Sequence, residues 1–163
     1  MATQTLEAVN PIVGRTQFIG LSLPPAWRIT RATVMPDVAT TVRQGERQWV
    51  AAGETRHVVF DGARRIRLDM VVQVKPGASR RPLPRLAETV ANGPIAVGGH
   101  PGVFQLGRRR EGVLSRRLVP TLRVRHYCDR TQRTILLELS GSVLVEEFRA
   151  LLEAMRSVEC HDP

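Results

Sequence analysis

The amino-acid sequence predicts an α+β domain: an antiparallel β-sheet of about six to eight strands, covered by a long C-terminal helix and one shorter helix. Three observations carry that expectation. Ile66, Leu68, Met70, Val72 and Val74 alternate with Arg65, Arg67, Asp69, Gln73 and Lys75, the period of a strand wet on one face. Leu144, Phe148, Leu151, Leu152 and Met155 recur at i, i+4, i+7, i+8 and i+11, the period of an amphipathic helix. The 163 residues suffice for one sizeable core, whereas two cores of roughly 80 residues would each be marginal.

Residues 1–16 lack periodicity and contain Asn10, Pro11 and Gly14, so they read as an irregular N-terminal arm ahead of a single domain over residues 17–163. Phe18 to Leu23 and Trp27 to Val34 read as strands separated by Pro24 and Pro25, which lack the backbone donors a ladder needs. Met35 to Gly53 matches no template except at Trp49-Val50, a candidate strand or core plug. Val58 to Phe60 and the alternating run flank Asp61-Gly62, a dipeptide suited to a tight hairpin turn. Pro76-Gly77 ends that strand.

Between Pro82 and Ala91, Leu83, Leu86, Ala87 and Val90 have helical spacing, and Asn92-Gly93 supplies a stop, so this is the shorter helix. Ile95 to Val97, Val103 to Leu106 and Val113 to Val119 resume strand character among glycines, and Gly107 and Gly112 bracket a basic hairpin tip, Arg108 to Glu111. Leu122 to Cys128 and Thr134 to Leu139 pair across a turn. The last helix takes Ser142 as its cap, with Glu146 and Glu147 at the positive end of its dipole and Arg156 at the negative end.

This order of elements resembles the PsbP-like superfamily. Phe18-Ile19-Gly20-Leu21-Ser22-Leu23-Pro24-Pro25-Ala26-Trp27 looks like that group's opening strand, proline turn and tryptophan, and Val97-Gly98-Gly99-His100-Pro101-Gly102-Val103 looks like its glycine-containing central turn. The resemblance spans about residues 18 to 158. It implies an antiparallel sheet with helices packed on it, and binding or scaffolding rather than catalysis. The N-terminus has no apolar run fit for a signal sequence, unlike the secreted members, and nowhere do eighteen apolar residues follow one another. The expectation is a cytoplasmic protein with no membrane partner.

The formal charge is +9, and Lys75 is the single lysine, so the basic character is almost wholly arginine. It is concentrated in residues 105–133, where Arg108, Arg109, Arg110, Arg116, Arg117, Arg123, Arg125, Arg130 and Arg133 face only Glu111 and Asp129. On an alternating strand Arg123, Arg125 and Tyr127 share the wet side with Arg65 and Arg67. Such a surface suits an acidic protein partner, which is the leading expectation. Nucleic acid is the alternative, since arginines attract phosphates and Tyr127 offers a stacking ring.

Cys128 and Cys160 are the only cysteines. The strand after the turn runs away roughly 20 Å at about 3.3 Å per residue. A helix of about sixteen residues returns roughly 24 Å at about 1.5 Å per residue, which brings Cys160 back to Cys128. One reading is a disulfide stabilising the fold by roughly 3 to 4 kcal/mol, a pairing that inside cells suggests a thermophile. The others are two unpaired thiols, one buried, and a zinc set of His126, Cys128, Cys160 and His161. Because both pairs lack the looped spacing of finger motifs, the sequence commits to no metal and no cofactor.

The histidines are His57, His100, His126 and His161, and His100, within Gly99-His100-Pro101-Gly102, reads as a turn residue. No nucleophile elbow, phosphate loop, dinucleotide fingerprint or His-Glu-x-x-His motif occurs. The sequence therefore points to a non-enzymatic interaction or scaffold protein, with a small hydrolase or transferase as the third reading.

Overall fold

Period-two burial governs far more of the chain than the sequence suggests. The structure, a computed structural model, describes residues 3–10, 14–31, 40–114 and 116–163. Strands β1 (Thr3–Asn10), β2 (Gly14–Ser22), β4 (Thr41–Gln44) and β5 (Arg47–Val50) make a four-stranded sheet in the order β1-β2-β5-β4. Strands β3 (Trp27–Arg31), β6 (Gly53–Asp61), β7 (Ile66–Pro76), β8 (Glu88–Val97), β9 (His100–Arg110), β10 (Leu118–Cys128) and β11 (Arg133–Ser140) make a seven-stranded antiparallel sheet in the order β3-β6-β7-β11-β10-β9-β8. A 3-10 turn, Val145–Glu147, leads into the α-helix α1 (Phe148–Met155), the one α-helix among the described residues.

The expected alternation holds on the central strands. Leu68, Met70, Val72 and Val74 of β7, Leu122 and Val124 of β10 and Ile135, Leu137 and Leu139 of β11 are buried and belong to one cluster. Each such side chain contributes about 1.5–3 kcal/mol on leaving water. Leu6, Phe18, Ile19 and Leu21 of the small sheet, and Phe148, Leu151 and Met155 of α1, join the same cluster. The inner face of the large sheet is thus closed by the small sheet and α1 together.

The helical half of the predicted fold class is corrected. Among the described residues the molecule is mostly strand, arranged as two sheets with a single short α-helix. The shorter helix over Pro82 to Ala91 does not exist: Glu88–Val97 is β8, paired with β9, and residues 77–87 form an irregular strap. The Pro84 and Arg81 carbonyls are taken instead by the side chains of Arg123 and Arg125, and Leu86 alone plugs inward, 3% exposed. The last helix is about half its expected length. Leu144 is 72% exposed, so the apolar stripe starts at Val145 and Phe148. Ser142 does not cap it. Its hydroxyl instead accepts a bond from Arg117 Nη2.

The stretch read as an irregular arm contains β1, hydrogen-bonded along β2. Residues 11–13, and residues 32–39 of the expected second strand and the ambiguous stretch after it, lie outside the described residues. Trp49 is in β5 and fully buried. The β6–β7 hairpin is real, but its loop is four residues, Gly62 to Arg65, with Asp61 paired to Ile66. The Asp61 carboxylate accepts the Ala63 and Arg64 amides and so closes the turn from its side chain, while Arg65 takes the positive φ of 55°. The Arg108–Arg110 tip is instead the end of β9, and residues 111–114, 116 and 117 lie in the connection to β10.

Candidate functional site

Register places the arginines. Antiparallel pairing sets Ser140 opposite both Asp69 and Thr121, so the start of β7, the end of β11 and the start of β10 share one end of the large sheet. Arg65 and Arg67 therefore lie at the same end as the β9–β10 loop, Arg67 roughly 10 Å from β10 at about 4.8 Å per strand. Arg108, Arg109, Arg110, Arg116 and Arg117 surround that loop. Tyr127 is at the other end of β10, roughly 30 Å away at about 3.3 Å per residue. The basic cluster and the one tyrosine are not brought together.

Arg123 and Arg125 project from the sheet's outer face, and both are engaged internally. Arg123 Nη1 donates to the Pro84 carbonyl at 2.7 Å and its Nε to Glu138 at 2.6 Å. Arg125 Nη1 donates to the Arg81 carbonyl. Thr134 extends the attachment: its hydroxyl accepts the Ser79 amide at 3.0 Å and donates to the Gly77 carbonyl at 2.7 Å. These bonds tie the strap across the outer face and satisfy carbonyls that helix formation would otherwise have used. Clefts of about 220 and 240 Å³ border the strap, one beside Tyr127 and one beside Arg123.

At the loop end the pairing is looser. Arg108 meets Glu88 at 2.9 Å, Arg109 meets Glu138 at 3.3 Å, Arg117 meets Glu111 at 3.5 Å and Arg67 meets Asp69 at 3.9 Å, mostly as exposed pairs of small energetic weight. Arg110 and Arg116 are exposed. Between them Val113 and Leu114 stand 96% and 98% exposed. Sequence reading counted these two residues as strand and missed them as surface. Their signal is the glycine before them, with three consecutive arginines on one side and two on the other.

The opposite end of β10 carries a different constellation. Cys128 and Cys160 are free and buried. Their ligand atoms, with those of His100 and His161, all lie within 4.8 Å of one another. The expected approach of Cys160 to Cys128 thus occurs, but by another route. After the short helix the tail bridges antiparallel to β2, Gly20 and Glu159 exchanging both backbone bonds at 2.8 Å. His126 is not in the set. It is 4% exposed, its ring stacks on His100 at 6.4 Å, and burial, with the charges of His100 and Arg133, holds its pKa down at about 3. His100 is in the set because the Gly98-Gly99 turn starts β9 at that residue.

Arg133 organises this end. Wholly buried, it donates from Nη1 to the Val50 and Phe18 carbonyls at 2.8 and 3.2 Å, from Nη2 to the Cys160 carbonyl at 2.8 Å and from Nε to Thr131 at 3.0 Å. Burial lowers its pKa to about 10, against the pull of the two sulfurs, and it stays charged at neutral pH. A hydrogen bond from the Cys160 thiol draws Cys128 down to about 5 against the upward push of burial, and the same bond pushes Cys160 up.

The class these features define is a mainly antiparallel β domain of two sheets with, among the described residues, one short α-helix. In particular, the chain is similar to the solution structure of cyanobacterial PsbP (CyanoP) from Synechocystis sp. PCC 6803, over 99% of this chain and 95% of that one, at 12% identity and a TM-score of 0.47. No family model and no curated protein matches the chain. Among the described residues no helix is long and apolar enough to cross a membrane.

Proposed function

We propose that the protein is a non-enzymatic interaction domain whose contact element is the β9–β10 loop and whose partner is an acidic protein surface. The observation that carries this reading is the pairing of Val113 and Leu114, almost wholly in solvent, with Arg110, Arg116 and Arg117 around them. Burying each aliphatic side chain against a partner would contribute about 1.5–3 kcal/mol. The arginines would select a partner of opposite charge and steer its approach. Arg123 and Arg125 are tied to the strap, whereas Arg110 and Arg116 present exposed charge at the loop. Nucleic acid fits less well, because stacking needs an aromatic ring beside the cations and Tyr127 lies at the far end of its strand.

The test is a photo-crosslinking side chain at Leu114 in the full chain, expressed in its own cells, with the same probe at exposed Val9 as a control. The reading expects adducts to an acidic protein from position 114 only, lost in the Arg110→Glu, Arg116→Glu double variant and recovered with the purified partner. Adducts equal to those from Val9 would sink it. Tight binding to random duplex or single-stranded nucleic acid that weakens steeply with salt would favour the alternative.

A further inference from the structure

We infer that His100, Cys128, Cys160 and His161 form a structural zinc site that fastens the C-terminal tail to β9 and β10. The inference is independent of the loop interface. Two thiols and two imidazoles are the donor set of tetrahedral zinc, and four protein ligands leave no open position, which marks a structural site rather than a catalytic one. Zinc at about 2.3 Å from sulfur and about 2.0–2.1 Å from nitrogen separates its donors by about 3.3 to 3.8 Å. Donors already within 4.8 Å reach that arrangement by side-chain shifts alone.

Hydrogen bonding fixes which nitrogens are available. His100 Nδ1 is 3.1 Å from Asp129 Oδ1, and a carboxylate only accepts, so Nδ1 carries the proton and Nε2 the free lone pair. That Nε2 is buried without a hydrogen-bond partner. A buried nitrogen without a partner carries an uncompensated desolvation cost unless something ligates it. His161 Nδ1 is 2.6 Å from the Asp162 carbonyl, also an acceptor only, so its Nε2 likewise carries the lone pair. A second group holding the far nitrogen of each ring, carboxylate in one case and carbonyl in the other, is the usual support of zinc-bound histidine.

The ligands come from three distant segments, and each is anchored without help from a metal. Cys128 ends β10, opposite Arg133. Cys160 is held by the Arg133 bond to its carbonyl. His161 is followed by Asp162, whose carboxylate accepts the Glu46 and Arg47 amides of the β4–β5 turn at 2.9 and 3.3 Å. His126 is excluded from the set although it shares β10 with Cys128, since only His100 and His161 group with the sulfurs.

The experiment is metal analysis of protein purified under reductant, followed by Co²⁺ titration of the metal-free full chain. The expected result is one zinc per chain and, with Co²⁺, a single equivalent giving the intense visible absorption of a tetrahedral thiolate–imidazole site. His100→Asn and Cys128→Ser should each abolish that absorption and His126→Asn should retain it. Asp129→Asn should weaken affinity about tenfold or more. A Cys128–Cys160 disulfide in the freshly isolated protein, or a wild-type titration without tetrahedral absorption, would overturn the inference whether or not the variants fold. So would loss of the absorption in His126→Asn with retention in His100→Asn.

Discussion

The guanidinium of Arg133 lies 5.0 Å above the ring of Trp49, inside the core, where its donors reach carbonyls of β2, β5 and the C-terminal tail. One side chain on the large sheet thereby gathers the small sheet and the tail. No carboxylate shares this pocket with it among the bonds described. Its charge is met by carbonyl dipoles, the Trp49 face and the nearby sulfurs.

Arg133→Met should therefore destabilise the fold by about 3 kcal/mol or more, because three buried carbonyls lose their donor at once. Arg133→Lys should not rescue it, since a single ammonium cannot span acceptors on three segments. Urea unfolding of the two variants checks this. Stability of the lysine variant within error of the wild type would contradict it.

The strap depends on Arg123 and Arg125 more than on its own sequence. Arg123→Ala with Arg125→Ala should release residues 77–87 at a cost of about 1–3 kcal/mol. Limited trypsin digestion should then cut the strap after Arg85 much faster than in the wild type. Unchanged digestion would mean that Leu86 alone holds it.

Asp61 supplies a pH dependence. Burial pushes its carboxyl up, but the Arg64 side chain and the Arg64 and Ala63 amides outweigh burial and hold the pKa below the usual range. Stability from that depression is complete above the unfolded value of about 3.9 and is lost as pH falls through the folded value. Asp61→Asn should lower the melting temperature at neutral pH, and the gap to the wild type should close below about pH 4. A gap that persists at lower pH would show that the carboxylate charge is not responsible.

Gly98 has a positive φ of 56°, and a Cβ there would sit 2.1 Å from the Val158 carbonyl oxygen. Gly98→Ala should cost about 2–3 kcal/mol. It should also raise amide hydrogen exchange at Val158 and Glu159, because the turn and tail are in direct contact. Exchange unchanged at those two amides would contradict the packing described.

How much of this was legible in the sequence depends on how local its cause is. The β6–β7 hairpin and the buried parity of Leu122, Val124, His126 and Cys128 in β10 are written in alternation, and they are present. Helical spacing at Leu83, Leu86, Ala87 and Val90 does not outweigh the pairing of Glu88–Val97 with β9 and two distant arginines bonding to the strap's carbonyls. The final helix was overextended because Leu144 fits the period yet faces solvent. The cysteine approach was foreseen through strand and helix lengths that nearly cancel, although the tail, not the helix, covers the last part. His100 was passed over as a turn residue, and turn placement is what brings it to the sulfurs. Nothing local marks a histidine whose co-ligands lie 28 and 60 residues further on.

The proposed contact element is the loop between β9 and β10 rather than the strap-covered sheet face. Hydrogen–deuterium exchange of the full chain, with and without the partner recovered by crosslinking, tests it most directly. The account predicts protection confined to the arginine-flanked residues 108–119, with the strap at 77–87 unchanged. Protection of the strap and of Arg123 to Tyr127, with the loop exchanging as in the free protein, would contradict it.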